Sequence, residues 1–370
     1  MAHDPLCYLD YNATAPVLPE VLSAVTADIA CFGNPSSVHA AGRRARAVVE
    51  DAREAIAAMV NASVQHVVFT SGGTEANALA MRGLAGGCAA VLASAIEHPS
   101  VLAHVGENRI AVDHNGIIDL ADLERQLSTG PSPALIAVML ANNETGIVQP
   151  VAQAAELARK YGARIHCDAV QAAGKIPIDM RALGVDSLSL SAHKFGGLKG
   201  AGALVIRAGV DLAADMLGGG QERRRRAGTE NVPGIVGFGA AARAVTKLLA
   251  NMPRIEGLRA DMERFVSHSA PQARIFGKDV ERLGNTMCVV LPGVSSETQV
   301  MRLDLAGVAV SAGSACSSGK IAPSHVLLAM GVDPAEAKSA IRVSLGWDTK
   351  PEDVMQFLKA WLPLASSAAA

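Results

Sequence analysis

The sequence predicts an α/β protein: a large domain on a mostly parallel central sheet flanked by helices, plus a smaller α+β domain. Three observations predict it. The chain has 370 residues, half of them hydrophobic, more than a single core usually holds. Through the first 250 residues short apolar runs alternate with helical patterns, the rhythm of a parallel sheet covered on both faces. Past that point the rhythm changes, and strand-like and helix-like stretches follow one another less regularly. The expected boundaries are 15–250 for the large domain, with 1–14 and 251–370 forming the small one.

The elements can be justified in order. VVFT (Val67–Thr70) leads through the turn 71–73 into the helix-like TEANALAMRGL, and AVLAS (Ala90–Ser94) precedes IEHPSVLAHV. LIAVML (135–140) runs into ANNETG, and the helical stretch 151–161 is followed by ARIHCDA (163–169). DSLSLSAHK (186–194) and GALVI (Gly202–Ile206) complete the series. In the last third, LRADMERFVSHSA and ETQVMRLDLAG read as helices, while NTMCVVLP, VAVSAGSACSS and SAIRVSLG read as strands or strand-loop junctions.

Composition excludes several classes of function. The formal charge is −2, so no global field draws nucleic acid or acidic lipid. Aromatics make up 3% of the chain, too few for a base-stacking surface, and the basic run 223–226 is too short to indicate nucleic-acid binding. Of the six cysteines, none forms a CxxC, which argues against a zinc ribbon or a dithiol redox motif. No metal site is expected. The opening MAHDPLCYLDYNATAP lacks the pattern of a secretory signal, and no stretch reads as long and charge-free enough to span a bilayer. The expectation is a soluble, cytoplasmic protein.

Ligands of open parallel sheets bind at the carboxyl ends of the strands. Polar groups interrupt five apolar runs at those ends: Gly73 and Thr74, His98, Asn143, Asp168 with Gln171, and Ser191, His193 and Lys194. SGGTEAN is a glycine turn opening a helix, whose free N–H groups attract an anion. Ser191 and His193 are in reach of the same anion. A carboxylate such as Asp168 at a buried strand end needs a cationic partner. A lysine such as Lys194 there can lose its proton and attack a carbonyl. His98 can stack on a flat ring and shuttle protons. The small-residue loop SAGSACSSGK (311–320) carries Cys316, a candidate nucleophile, and Arg342 can clamp a carboxylate. Taken singly, each has an ordinary account: a helix cap for Thr74 or Asp168, a solvated loop lysine, a buried structural histidine, an incidental thiol, a surface ion pair. His166 and Cys167 point to opposite faces of a strand and read as core.

The blocks TSGGTEAN, EHPSVL, ANNETGIVQP, HCDAVQAAGKIPID, SLSAHKFGG, GGGQERRRRAGTEN, SAGSACSSG and IRVSLG together resemble the cysteine desulfurases. These are fold-type I pyridoxal-phosphate enzymes of the class V aminotransferase superfamily, and the likeness is to their NifS/IscS-like group. The resemblance implies that Lys194 carries pyridoxal 5'-phosphate, Asp168 pairs with the ring nitrogen, Gln171 bonds the ring hydroxyl and His98 stacks on the ring. It implies that Gly73, Thr74, Ser191 and His193 hold the phosphate. Thr229 would reach the phosphate of a second subunit, hence a homodimer. Asn143 and Arg342 would bind the carboxylate of L-cysteine, and Cys316 would take its sulfur as a persulfide for an acceptor protein, as in iron–sulfur cluster assembly. Contact of Cys316 with such a cluster would be transient. Three positions depart from the family pattern: Gly220 for a usual histidine, Leu198 for a proline and Arg224 for a frequent glycine. A selenocysteine lyase, a transaminase on the same fold, or a non-catalytic scaffold subunit are the competing readings.

Overall fold

A computed structural model describes residues 6–30, 33–313 and 322–368, and the backbone alone at 367 and 368. The larger sheet has seven strands in the order β2-β8-β7-β6-β5-β3-β4. They are β2 (Val67–Thr70), β3 (Ala90–Ser94), β4 (Arg109–Ile110), β5 (Ala134–Ala137), β6 (Arg164–Asp168), β7 (Ser187–Ser191) and β8 (Gly202–Ile206). Only β8 runs against its neighbours; the other pairings are parallel. The expected mostly parallel sheet is therefore what forms.

Alternation assigns the faces. Val67 and Phe69 join a core with Ile136, Leu188 and Phe238. Val68 turns the other way, against Leu79, Leu135 and Leu204. With both faces covered, β2, β5, β7 and β8 are buried at every position, which is why they read as continuous apolar runs.

A second sheet is antiparallel, in the order β12-β13-β10-β9: β9 (Arg274–Phe276), β10 (Thr286–Val290), β12 (Ser311–Ala312) and β13 (Ala340–Ser344). Its core joins Met287, Val289 and Ile341 to Leu303, Phe357 and Trp361 of the helices Ser296–Leu305 and Pro351–Ala368. The buried Trp361 indole donates to Gln299 Oε1 at 2.9 Å, so its one polar atom is satisfied. The chain start belongs here too: β1 (Cys7–Tyr8) pairs in parallel with β11 (Val308–Ala309).

One helix, Val232–Ser269, serves both cores. Ile235, Phe238 and Ala241 enter the first, and Ile255, Met262 and Val266 the second. The change of rhythm expected at residue 250 thus falls inside a continuous helix. This helix also corrects the expectation about apolar stretches. By length and composition it is apolar enough to cross a membrane, but more than half of that window is buried inside the protein. Its apolar faces cover two cores.

The basic run lies in a strained turn. Glu222, Arg223 and Arg224 have φ of 42°, 55° and 63°, the left-handed region that costs a side-chain-bearing residue roughly 1–2 kcal/mol. Buried contacts hold the turn. The Glu222 carboxylate takes both Arg53 N–H arms at 2.7 and 2.8 Å and the Phe69 amide at 2.8 Å, and Arg226 pairs with Glu75 at 2.7 Å. Arg224 is exposed. Replacing it with glycine is expected to stabilise the protein by about 1 kcal/mol, read as a higher denaturation midpoint at constant m-value. Glu222→Gln, which leaves Arg53 only the more exposed Glu50 at 3.1 Å, should cost about 3 kcal/mol in the same measurement.

Candidate active site

A cavity of about 580 Å³ opens at the carboxyl ends of the parallel strands, with residues of the second sheet on its far wall. Gly73, Thr74, His98, Asn143, Asp168, Gln171, Ser191, His193, Lys194 and Arg342 all line it. Thr229 is exposed and lies outside it. Cys316 falls outside the described residues; Gly313 and Ala322, on either side of that segment, line the cavity.

One corner brings a helix start and an unpaired hydroxyl together. The helix Gly73–Leu84 begins there with Gly73 and Thr74. A Cβ at Gly73 would lie 2.8 Å from Val170, and one at Gly202 would lie 2.5 Å from the Gly72 carbonyl carbon. Two glycines thus let β8 and the Asp168 turn press the helix start into the cavity. Ser191 Oγ is buried without a hydrogen-bond partner, a deficit a ligand would remove. His193 Nδ1 lies 3.2 Å from Thr14 Oγ1; burial first, then Lys194 and Lys199, push its pKa down to about 4.

Asp168 sets the polarity of the floor. Its Oδ1 accepts from Val170 N at 2.9 Å and its Oδ2 from Asn77 Nδ2 at 2.7 Å. It therefore caps a turn as well as facing the cavity. With the Asn77 amide oriented, Nδ2 also donates to Ser100 Oγ at 2.9 Å. The Ser100 hydroxyl then donates to His98 Nδ1 at 2.7 Å, beside the Ser100 N–H at 3.1 Å. His98 Nδ1 is thus an acceptor twice over, and neutral His98 carries its proton on Nε2. On the other side, Asn77 Oδ1 accepts from Ser189 Oγ at 2.6 Å and His166 Nε2 at 3.0 Å. Burial drives His166 down to about 4 and lowers His98, against the pull of Asp168.

Lys194 ends a short 3-10 turn after β7. Its Nζ donates to the carbonyls of Asn12 at 2.7 Å and Ala13 at 3.0 Å. It is not a solvated loop lysine: it lies against the first segment of the chain. Gln171 Nε2 donates to the same Asn12 carbonyl at 2.9 Å. Beneath them Lys175 is buried, its Nζ 2.8 Å from Gln171 Oε1 and 3.0 Å from Asn12 Oδ1. Burial, then the charges of Lys194 and Arg342, hold Lys175 well below the usual lysine range.

Arg342, on β13, is buried and makes no surface pair. Nη2 binds Asp10 Oδ1 at 2.8 Å and Nη1 donates to the Asn143 carbonyl at 3.0 Å. Its Nε and the neighbouring Asn143 Oδ1 are buried without partners. Glu144 completes this wall; Ser324 Oγ donates to it at 2.5 Å, and burial raises it to about 7. Asn12, Asn77, Glu144 and His325 also line the cavity and Lys175 lies beneath it; sequence reasoning passed over all five. Lys175 had a signal in its i,i+4 spacing from Gln171 on the same turn of chain. Asn77 and Glu144 stand inside the quoted blocks and Asn12 inside the quoted opening, but with nothing local to single them out, and His325 stands outside them.

Fold and cavity together define an α/β protein that gathers a lysine amine, a strand-end carboxylate and a helix start in one chamber. The aminotransferase class-V family model matches residues 7–357, and the chain belongs to that family. Among curated relatives it is 43% identical to a cysteine desulfurase of Cereibacter sphaeroides, over 96% of this chain and 95% of that protein. It is 41% identical to a cysteine desulfurase IscS of Dictyoglomus turgidum, over 94% and 91%. A NifS-like protein from Rickettsia africae superposes with a TM-score of 0.90 at 34% identity, over 98% and 99% of the two chains. The structure of SspA in complex with cysteine superposes at 0.78 with 30% identity, over 92% and 98%.

The buried histidines make acid stability a test of this geometry. A histidine whose folded pKa is depressed contributes stability that is complete above its unfolded pKa and lost as pH falls. For His166 that window runs from 6.5 down to about 4. Urea unfolding at pH 7 and pH 5 should show wild type losing roughly 2 kcal/mol more than His166→Gln. Equal losses would mean that His166 takes up its proton in the folded state.

Proposed function

We propose that this chain is a cysteine desulfurase, an enzyme that takes sulfur from L-cysteine, releases L-alanine and loads the sulfur on Cys316 as a persulfide. The observation that carries the reading is one cavity in which the Lys194 amine and the Asp168 carboxylate face the open Nε of buried Arg342. Full-length relatives of that name support it.

The residues fit pyridoxal 5'-phosphate. Ser191 Oγ is an unpaired buried hydroxyl beside a helix start, which suits a phosphate. Asp168 suits a protonated ring nitrogen, Gln171 a ring hydroxyl and Lys194 a carbonyl carbon. Gly73, Thr74 and His193 complete the phosphate corner. Bound there, the cofactor supplies an electron sink for the carbon next to the substrate amine. In this reading Arg342, with the Asn143 side chain, orients the cysteine carboxylate. His98 presents Nε2–H to the reacting atoms and delivers a proton. Lys194 would exchange a proton with the substrate. Cys316 forms a new S–S bond with the substrate sulfur as the C–S bond breaks. The reading includes a homodimer in which Thr229 serves the partner's site, a cytoplasmic setting and a protein acceptor such as an iron–sulfur scaffold.

Two variants test it. Lys194→Ala should lose the borohydride-trappable cofactor, and Cys316→Ser should still change colour on adding cysteine but yield no sulfide. Normal sulfide from Cys316→Ser would favour a lyase of the same fold. Arg342→Ala is expected to weaken cysteine binding roughly 100-fold, the value of a charge-assisted pair, measured by cysteine-induced absorbance change.

A further inference from the structure

We propose that His325 is a further catalytic residue, the base that accepts the proton of the sulfur-receiving thiol; this rests on the desulfurase reading above. The two histidines on the cavity wall show opposite ends of their rings. His98 has its Nδ1 occupied by the Ser100 amide and hydroxyl, so it offers only Nε2–H, a donor. His325 is anchored the other way. Its Nε2 lies 3.0 Å from the carbonyl oxygen of Glu97, and a carbonyl only accepts, so the proton is on Nε2 and Nδ1 holds a lone pair. Nδ1 has no hydrogen-bond partner among the described residues and is not among the buried unsatisfied atoms. His325 lines the cavity. One wall thus holds an acid and a base, tied through adjacent residues, Glu97 and His98.

The reaction needs such a base. A thiol attacks sulfur as its thiolate, and an ordinary thiol is mostly protonated at neutral pH. Of the other basic groups, Asp168 is taken up by Val170 N and Asn77, and His193 belongs to the phosphate corner in that reading. His98 has no lone pair to offer, Lys194 donates to two carbonyls, and Glu144 is engaged by Ser324. The surroundings of His325 disfavour its charged form. Burial and Arg109, at the start of β4, lower its pKa against the Glu97 carbonyl, and His98 next to it is itself held down by burial.

The balance is simple. The thiol S–H gives its proton to His325 Nδ1. The sulfur lone pair forms the S–S bond, the C–S bond of cysteine breaks, and its electron pair stays on carbon. That carbon takes up one proton and becomes the methyl of alanine. The acceptor thiol is oxidised to the persulfide and the carbon is reduced, with no further oxidant or reductant.

The test uses the full chain with its cofactor. His325→Gln keeps an N–H for the Glu97 carbonyl and removes the base. Its kcat for alanine formation should fall about 100-fold with little change in KM, and the acid limb of its pH profile should be lost. Added imidazole should restore part of the rate of His325→Ala, which a purely structural role would not allow. Independently, nitrogen-15 NMR of histidine-labelled protein without cofactor should show the His325 signal, identified by its loss in the variant, with a bare Nδ1 at neutral pH. A protonated Nδ1 there, or turnover of His325→Gln within twofold of wild type, overturns the proposal alone. Absence of alanine from wild type would overturn the desulfurase reading and this proposal with it.

Discussion

Between the two sheets, Asn12 uses every polar atom it has. Its N–H reaches Ser344 Oγ at 3.0 Å on β13, and its side-chain Nδ2 reaches Thr286 Oγ1 at 2.9 Å on β10 and the Asn143 carbonyl at 3.3 Å. Its carbonyl receives Lys194 and Gln171, and its Oδ1 receives Lys175 and Asn285. A fully buried polar residue is stable only when satisfied in this way. Here satisfaction also has a geometric effect, because the amine of Lys194 and the guanidinium of Arg342 both rest on this residue or on its direct partner Asn143. The two walls of the cavity are held in register by one side chain from the start of the chain.

From Asp168 outward the polar groups form an ordered sequence of donors. The carboxylate orients Asn77, Asn77 orients Ser100, and Ser100 settles which nitrogen of His98 bears the proton. The low-dielectric floor makes each of these choices expensive to reverse. The same burial that pushes His166 down to about 4 and Lys175 well below the usual lysine range disfavours positive charge below the cavity. An anionic ligand would then be drawn to the helix start and to Arg342 rather than to the floor.

Much of this was legible in the chain. Strand ends carry their polar interruptions in local sequence, so Asp168, Ser191 and Lys194 could be aimed at one edge from the βα rhythm alone. Arg342 was harder, since β13 follows the large sheet by more than a hundred residues and no local pattern says that it faces back. His325 and Glu144 were not visible at all. The polarity of His325 depends on a carbonyl 228 residues away, and the raised pKa of Glu144 on complete burial between the two sheets. The reading of residue 250 as a point of change was blind to the helix that runs through it, because helical periodicity does not report which core a turn will cover.

The sequence alone determined the layers, the strand edge and the chemical types gathered there, because period-2 and period-3.6 patterns and glycine turns are local properties. Tertiary structure decided the rest. Which way each imidazole faces, which amine is held below its usual range and which arginine is buried follow from desolvation and from partners remote in the chain. Those are properties of the packed molecule and of no single segment.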